Sequence, residues 1–431
     1  MTSLSTHSHR PFAYGEDGVL HCDGVRLDDL AREHGTPLFV YGAGGLRRGF
    51  RRIRDAFAAA NPMIAYSVKA NDNLAILKLL DKEGAAFDIV SGGELERIRR
   101  AGISGDRVIF AGVGKTFTEI RDAIRYGVRE FNVESLGEAE RIATVAQELG
   151  TEAAIALRVN PEVDAKTHAY ITTGKKENKF GMAWEDVLKL CERIAGMKGL
   201  RLEGLHAHIG SQILDSSPHQ QATAVVDTFL TTLAERGMKL KTLNFGGGFG
   251  ISYRPEQKPL ELGPVAEVVV GLAKRHGLQL FMEPGRSIVG PIGALVTEVQ
   301  YIKPGREKTF VIVDGAMTEL IRPSLYQAYH EIVPVRQPAP GATRATVDVV
   351  GPVCESADFL AQGREMIVPA SGEFLAVLDA GAYCSVMSTN YNARCRPAEI
   401  LIEEDGEAHV VRHRQTYDDL LRHESVPSHL E

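Results

Sequence analysis

The chain has 431 residues, 44% hydrophobic and 24% charged, with a formal net charge of −7, the profile of a soluble globular protein with room for two domains. The acidic balance and a pI near 6.1 argue against nucleic acid or an anionic membrane as the main partner. No apolar run reaches the roughly 18 residues of a spanning helix. The N-terminal stretch MTSLSTHSHRPFAYG lacks the apolar core of a signal peptide. Five scattered cysteines (Cys22, Cys191, Cys354, Cys384, Cys395) with no CxxC pair predict reduced thiols in the cytoplasm, not a disulfide framework or a zinc site.

Residues 1–12 read as a loose tail. Short strands follow around Gly18 and Gly24, then a helix over 27–34 that Gly35-Thr36-Pro37 ends, and a strand over 38–41. An arginine-rich helical pattern covers 46–59. From there apolar, strand-like runs recur at 63–68, 86–90, 107–111, 129–133, 153–159, 202–209, 241–246 and 279–283. Helical patterns lie between them at 74–83, 93–101, 117–126, 136–149, 184–196, 218–236 and 263–276. Eight strands alternating with helices is the count of a (β/α)8 barrel. An open doubly wound sheet is the alternative, because alternation alone does not prove closure. After Gly290 the pattern turns β-rich, at 294–302, 309–313, 346–350, 374–378 and 398–402, with little helix beyond 320–330. The expected division is an N-terminal segment 1–40 packing with a β domain, a barrel over 41–290, and a mainly antiparallel β domain over 291–431.

Polar and glycine residues gather at the C-terminal ends of the barrel strands, the face where barrel enzymes react. Strand one ends at Tyr66-Ser67-Val68-Lys69-Ala70-Asn71, and strand two carries Asp88. Strand six runs into His206-Ala207-His208-Ile209-Gly210-Ser211-Gln212, strand seven into Gly246-Gly247-Gly248-Phe249-Gly250, and strand eight into Glu283-Pro284-Gly285-Arg286. Lys69 taken alone reads as a snorkelling surface lysine; on a shared rim it reads as a Schiff-base amine, which needs a lowered pKa. Gly246, Gly247 and Gly248 let backbone N–H groups approach an anion in the loop where barrels often hold phosphate. They do not complete GxGxxG, since Ile251 stands three residues on, and Gly112-Val113-Gly114-Lys115-Thr116 lacks the first Walker glycine, so it reads as an ordinary loop. His206 and His208 share a strand face. Without zinc-like spacing around them, a ring-stacking or hydrogen-bonding role suits His208 and a structural one His206, and no metal is expected. Glu283 beside Pro-Gly-Arg reads as a surface acid or, if a phosphorylated pyridine occupies this rim, as the carboxylate that keeps its nitrogen protonated. The β domain adds Arg322 with Tyr326 one helical turn on, Cys354 beside Glu355, and Tyr391; each by itself reads equally as domain packing.

Read together and in order, YSVKAN, HAHIGSQ, NFGGGFG, EPGR, IRPSLY, GPVCESAD and DAGAY…NYNARCRPAE resemble the diaminopimelate decarboxylases, pyridoxal-phosphate enzymes with an alanine-racemase-like barrel of fold type III. Arg158-Val159-Asn160-Pro161, Thr167-His168 and Lys176-Glu177-Asn178-Lys179-Phe180-Gly181 extend the resemblance, which spans roughly residues 15–420. It implies that Lys69 forms the Schiff base to pyridoxal 5'-phosphate and that His208 stacks on the ring. Asp88, Ser211, Gly246, Gly247, Gly248, Glu283, Pro284, Gly285 and Arg286 would hold the cofactor, with Glu283 at the pyridine nitrogen and Tyr391 reaching phosphate or substrate. Arg286, Arg322 and Tyr326 would bind the substrate carboxylate and Glu355 the distal ammonium. The resemblance also implies a homodimer with shared active sites, in which the partner subunit's Cys354 and Glu355 complete each site. Lys69 or Cys354 would return the proton after loss of CO2. The implied reaction is decarboxylation of meso-diaminopimelate to L-lysine. The alternatives are a decarboxylase of ornithine, lysine, arginine or carboxynorspermidine on the same scaffold, an alanine racemase, or a non-catalytic pyridoxal-phosphate-binding regulator.

Overall fold

A computed structural model describes residues 9–163, 179–306 and 308–430. The chain divides into two compact units. One contains Arg47–Ser252 and Lys258–Ile288; the other contains the chain up to Leu46, Tyr253–Gln257, and the chain from Val289 onward.

The first unit is a closed barrel of eight parallel strands: Met63–Ser67, Ala86–Ile89, Val108–Phe110, Glu130–Val133, Ala153–Val159, Leu200–Ala207, Thr242–Asn244 and Gln279–Met282. Phe281 and Met282 of the last strand pair in register with Met63 and Ile64 of the first. That pairing excludes the open sheet. Local chemistry delimits the intervening helices. Helix Phe117–Tyr126, for instance, starts with a capping box between Thr116 and Glu119, buries Ile120 and Ala123, and stops at Gly127 in a left-handed conformation with φ 78°.

Side chains alternate along each strand, so every second residue faces the barrel axis. One layer of the interior is apolar, with Ala65, Ala86, Ile109 and Phe281 packed together. At the N-terminal ends of their strands Glu130 accepts a hydrogen bond from Thr242 at 2.8 Å. Toward the C-terminal end the buried polar residues are Ser67, Asp88, Asn132, His206, Asn244 and Glu283.

The loop at Lys115 is a structural joint. Lys115 is 4% exposed, and its ammonium donates to Gly112 O at 2.7 Å, Asn132 O at 2.9 Å and Glu138 Oε1 at 2.5 Å. All three N–H groups are thereby used. Burial pushes the Glu138 carboxyl up while Lys115 pulls it down. Lys115→Met removes the cation and leaves a buried acid and two carbonyls without their donor. Its unfolding free energy in a urea titration is expected to fall by about 3 kcal/mol; an unchanged midpoint would refute the structural role.

The second unit is built on a nine-stranded sheet. Its path runs Phe359–Ile367, Arg344–Val350, Thr309–Val313, Gly293–Pro304, Leu38–Gly42, Ala398–Ile402 and Ala408–Arg412. Phe374–Leu378 also pairs with Gly293–Pro304, and Ile332–Pro334 with Phe374–Leu378. Pairing is antiparallel except where Thr309–Val313 meets Arg344–Val350 and where Leu38–Gly42 meets Ala398–Ile402. The early strand Leu38–Gly42 is thus interior to the sheet. Its Leu38 and Val40 join Ala294, Val296, Ala376, Leu378, Ile400 and Ile402 in one core. The helix expected over 320–330 is only Arg322–Tyr326, with Pro323 in its first turn, because Gln327 ends it in a left-handed conformation with φ 51°. The strands Phe359–Ile367 and Ala408–Arg412 carry too many polar residues for their alternation to stand out in sequence. Among the described residues no helix is long and apolar enough to cross a membrane.

Candidate active site

Strand one stops at Ser67, and a single 3-10 turn, Val68–Ala70, holds Lys69 at the barrel mouth. Asn73 then caps the next helix by accepting from Ala75 N–H at 3.0 Å. The Lys69 ammonium donates to Asp88 Oδ2 at 2.6 Å and to Ser67 Oγ at 3.4 Å. Ser67 Oγ has one hydrogen to give, and both Asp88 Oδ2 at 2.9 Å and Glu283 O at 3.1 Å are in reach. Burial pushes the Asp88 carboxyl up, Lys69 pulls it down and Glu283 adds a further push, leaving it raised.

Glu283 follows strand eight and is 7% exposed. Its Oε1 accepts from Asn132 Nδ2 at 3.0 Å and Asn244 Nδ2 at 2.5 Å, while Oε2 lies 3.4 Å from His206 Nε2. Burial disfavours its charge, but the facing His206 and the Lys69 ammonium outweigh that, and the carboxyl lies well below the usual range. It is ionised at any ordinary pH. His206 belongs to this polar layer. His208 differs from it. Its Nδ1 accepts from Gly247 N–H at 3.3 Å, which puts its proton on Nε2. Burial, then Arg158, pushes it well below the ordinary histidine value, so the ring is neutral.

The glycine loop is tightly seated. A Cβ on Gly247 would stand 2.1 Å from Glu283 O, and one on Gly248, whose φ is +87°, would stand 2.4 Å from Gly210 O. Gly246 N–H donates to Asn244 Oδ1 at 2.9 Å, and Gly247 N–H is taken by His208. Of the three, Gly248 is therefore the one whose N–H the protein does not engage among the described residues. Ser211 accepts from Arg286 Nη2 at 3.2 Å, and Pro284 O accepts from Ser67 N–H at 3.0 Å. These contacts tie the ends of strands one, six and eight together.

One barrel mouth thus brings together Lys69, Asp88, His208, Ser211, Gly246, Gly247, Gly248, Glu283, Pro284, Gly285 and Arg286. Arg322, Tyr326, Cys354, Glu355 and Tyr391 belong to the other unit. There Cys354 N–H donates to Asn392 Oδ1 at 2.8 Å, setting the 351–358 loop beside the Tyr391–Ala393 turn. Cys354 and Glu355 are exposed, Tyr391 is 48% exposed, and Arg322 is buried. Thr167, His168, Lys176, Glu177 and Asn178 lie outside the described residues.

Sequence reasoning overlooked Ser67, Asn132 and Asn244. It also overlooked Glu94, which accepts from Val90 N–H at 2.7 Å and is pushed up to about 7 by burial. A signal existed for two of them. Glu130-x-Asn132 and Thr242-x-Asn244 put polar residues two apart on otherwise apolar strands, hence on the barrel-facing side. Phe180 and Gly181 are held nearby: Arg158 pairs with Glu134 at 2.9 Å, and Glu134 accepts from Gly181 N–H at 2.8 Å.

These parts suit a phosphorylated pyridine aldehyde. An amine on an acid can hold the aldehyde carbon, an ionised buried carboxylate suits the ring nitrogen, and a loop that no Cβ could enter suits the phosphate. Residues 43–290 match the family model described as pyridoxal-dependent decarboxylase, pyridoxal binding domain. The chain is 44% identical to the diaminopimelate decarboxylase of Aquifex aeolicus, over 95% of this chain and 96% of that protein. It superposes on the diaminopimelate decarboxylase of M. jannaschii with a TM-score of 0.92 at 35% identity, covering 98% of this chain and 99% of that one. The enzyme from Helicobacter pylori complexed with L-lysine gives a TM-score of 0.87 at 38% identity, covering 92% and 98%. The chain belongs to the pyridoxal-dependent decarboxylases and, within them, to the diaminopimelate decarboxylases.

Proposed function

We propose that the chain decarboxylates meso-2,6-diaminopimelate to L-lysine and CO2, the final step of lysine synthesis, with pyridoxal phosphate as cofactor. The observation that carries this reading is the buried, ionised Glu283 fixed by Asn132 and Asn244. The bound cofactor supplies an electron sink for the pair left when CO2 departs, and a carboxylate at Glu283 is what keeps that sink charged. It also speaks against an alanine racemase, whose chemistry favours an unprotonated pyridine.

Lys69 would hold the cofactor through its amine, with Asp88 Oδ2 at 2.6 Å fixing where that nitrogen stands. Neutral His208 would offer a flat face to the ring, and Gly248 N–H with the residues around Ser211 would hold the phosphate. The substrate's non-reacting end carries both an ammonium and a carboxylate. Arg286, Arg322 and Tyr326 suit the carboxylate, Glu355 suits the ammonium, and Tyr391 reaches phosphate or substrate. A plain diamine precursor would need only the acid. Reconstituted protein is expected to release CO2 from meso-diaminopimelate with kcat/KM at least about a hundredfold above that for ornithine. Comparable release from ornithine would overturn the substrate assignment.

The working form in this reading is a cytoplasmic homodimer in which the partner subunit's Cys354 and Glu355 complete each site. The exposure of both residues supports it. Lys69→Ala and Cys354→Ala proteins, each expected to be inactive alone, should recover part of the activity when mixed, because one of the two sites in a mixed dimer is then intact. Mixtures that stay inactive while subunit exchange is verified by mass would refute sharing.

A further inference from the structure

Arg322 opens the short helix Arg322–Tyr326 and is 5% exposed. A guanidinium buried this far is ordinarily paired with a carboxylate. Arg322 has two uncharged neighbours instead. Its Nη1 lies 2.7 Å from His330 Nε2, and its Cζ stands 4.6 Å from the centre of the Tyr253 ring. Tyr253 meets the His330 ring edge-on at 5.2 Å. Among the described residues no carboxylate pairs with Arg322.

The donor inventory fixes the state of His330. A guanidinium has only donors, so His330 Nε2 must present its lone pair, and the ring proton sits on Nδ1. That nitrogen lies 2.9 Å from Leu378 O, a carbonyl that can only accept. The two bonds require the same tautomer. The carbonyl, at the end of strand Phe374–Leu378, anchors the ring, and the ring, itself 0% exposed, anchors the arginine.

We infer that His330 is a positioning residue for substrate recognition. Held as the Nδ1–H tautomer by Leu378, it fixes the Arg322 guanidinium without neutralising it, so the charge stays available to the non-reacting carboxylate of the substrate. An aspartate or glutamate there would hold the arginine equally well but cancel its charge. The inference rests on the reading that Arg322 binds that carboxylate.

Two variants separate the bonds. In His330→Asn the side chain can still donate to Leu378 O but falls short of Arg322; in His330→Gln the amide oxygen can stand where Nε2 stood. L-Lysine keeps the carboxylate in question and pentane-1,5-diamine lacks it, so calorimetric titration of the holoenzyme with each reads the site apart from turnover. His330→Asn is expected to weaken L-lysine binding and raise KM for meso-diaminopimelate by roughly tenfold or more, with kcat within about threefold, the loss of one charge-assisted hydrogen bond. Its affinity for pentane-1,5-diamine should not change, and His330→Gln should recover most of the loss for L-lysine. Equal weakening of L-lysine by both variants, or equal weakening of both ligands by His330→Asn, would overturn the inference in favour of a merely structural histidine. Arg322→Leu is the control on the underlying reading. If it leaves L-lysine binding intact, the assignment of Arg322 fails and the inference with it; if it weakens binding and His330→Asn does not, only the positioning role fails.

Discussion

In the Lys69→Ala protein, CO2 release from meso-diaminopimelate is expected to fall by at least about a thousandfold, and borohydride should no longer fix the cofactor to the chain. In the parent protein, borohydride followed by peptide mapping should place the cofactor on the peptide that carries Lys69. The geometry singles this lysine out. Its ammonium is 2.6 Å from a carboxylate that is 0% exposed, whereas Lys115, the other lysine of the barrel described above, spends all three hydrogens on structural acceptors. Removal of Lys69 leaves Asp88 with Ser67 as donor, and an acid already raised by burial takes up a proton with little strain. The variant should therefore stay folded. Turnover by Lys69→Ala close to the parent's would sink the proposed chemistry.

Glu283→Gln is expected to lower kcat by roughly a hundredfold to a thousandfold, in the range seen when a preorganised electrostatic group is removed, while the cofactor's visible absorption remains. Glutamine has the same shape. Asn132 and Asn244 both donate to Oε1, so the amide oxygen will be held there and its NH2 group turned toward His206. The variant thus keeps both asparagine hydrogen bonds and loses the charge together with its contact to His206, which centres the effect on the electronic role. An unchanged kcat with cofactor bound would mean that the ring nitrogen needs no anion, and the decarboxylase reading would lose its main support.

Much of the barrel was legible because its signals are local. Strand Met63–Ser67 and helix Leu74–Lys82 announce themselves through an apolar run, an Asn N-cap and a periodic stripe, all within twenty-odd residues. Closure was not legible, since it depends on Phe281 meeting Met63 across the whole barrel. The same holds in the other unit, where Leu38–Gly42 reads as a strand but nothing nearby in sequence places it between Gly293–Pro304 and Ala398–Ile402.

By itself the sequence determined the kind of chemistry. A rim lysine, a glycine run and a carboxylate before Pro-Gly-Arg are short-range features, and their order along the chain marks the family. Only the tertiary structure decided how those groups are poised. The Glu283 charge depends on Asn132, Asn244 and His206, from three different strands. The neutral form of His208 depends on Gly247 and Arg158, and the uncancelled charge of Arg322 on His330 and Tyr253. Protonation states are set by burial and by neighbours within a few ångströms, and which residues become neighbours is a property of the folded chain.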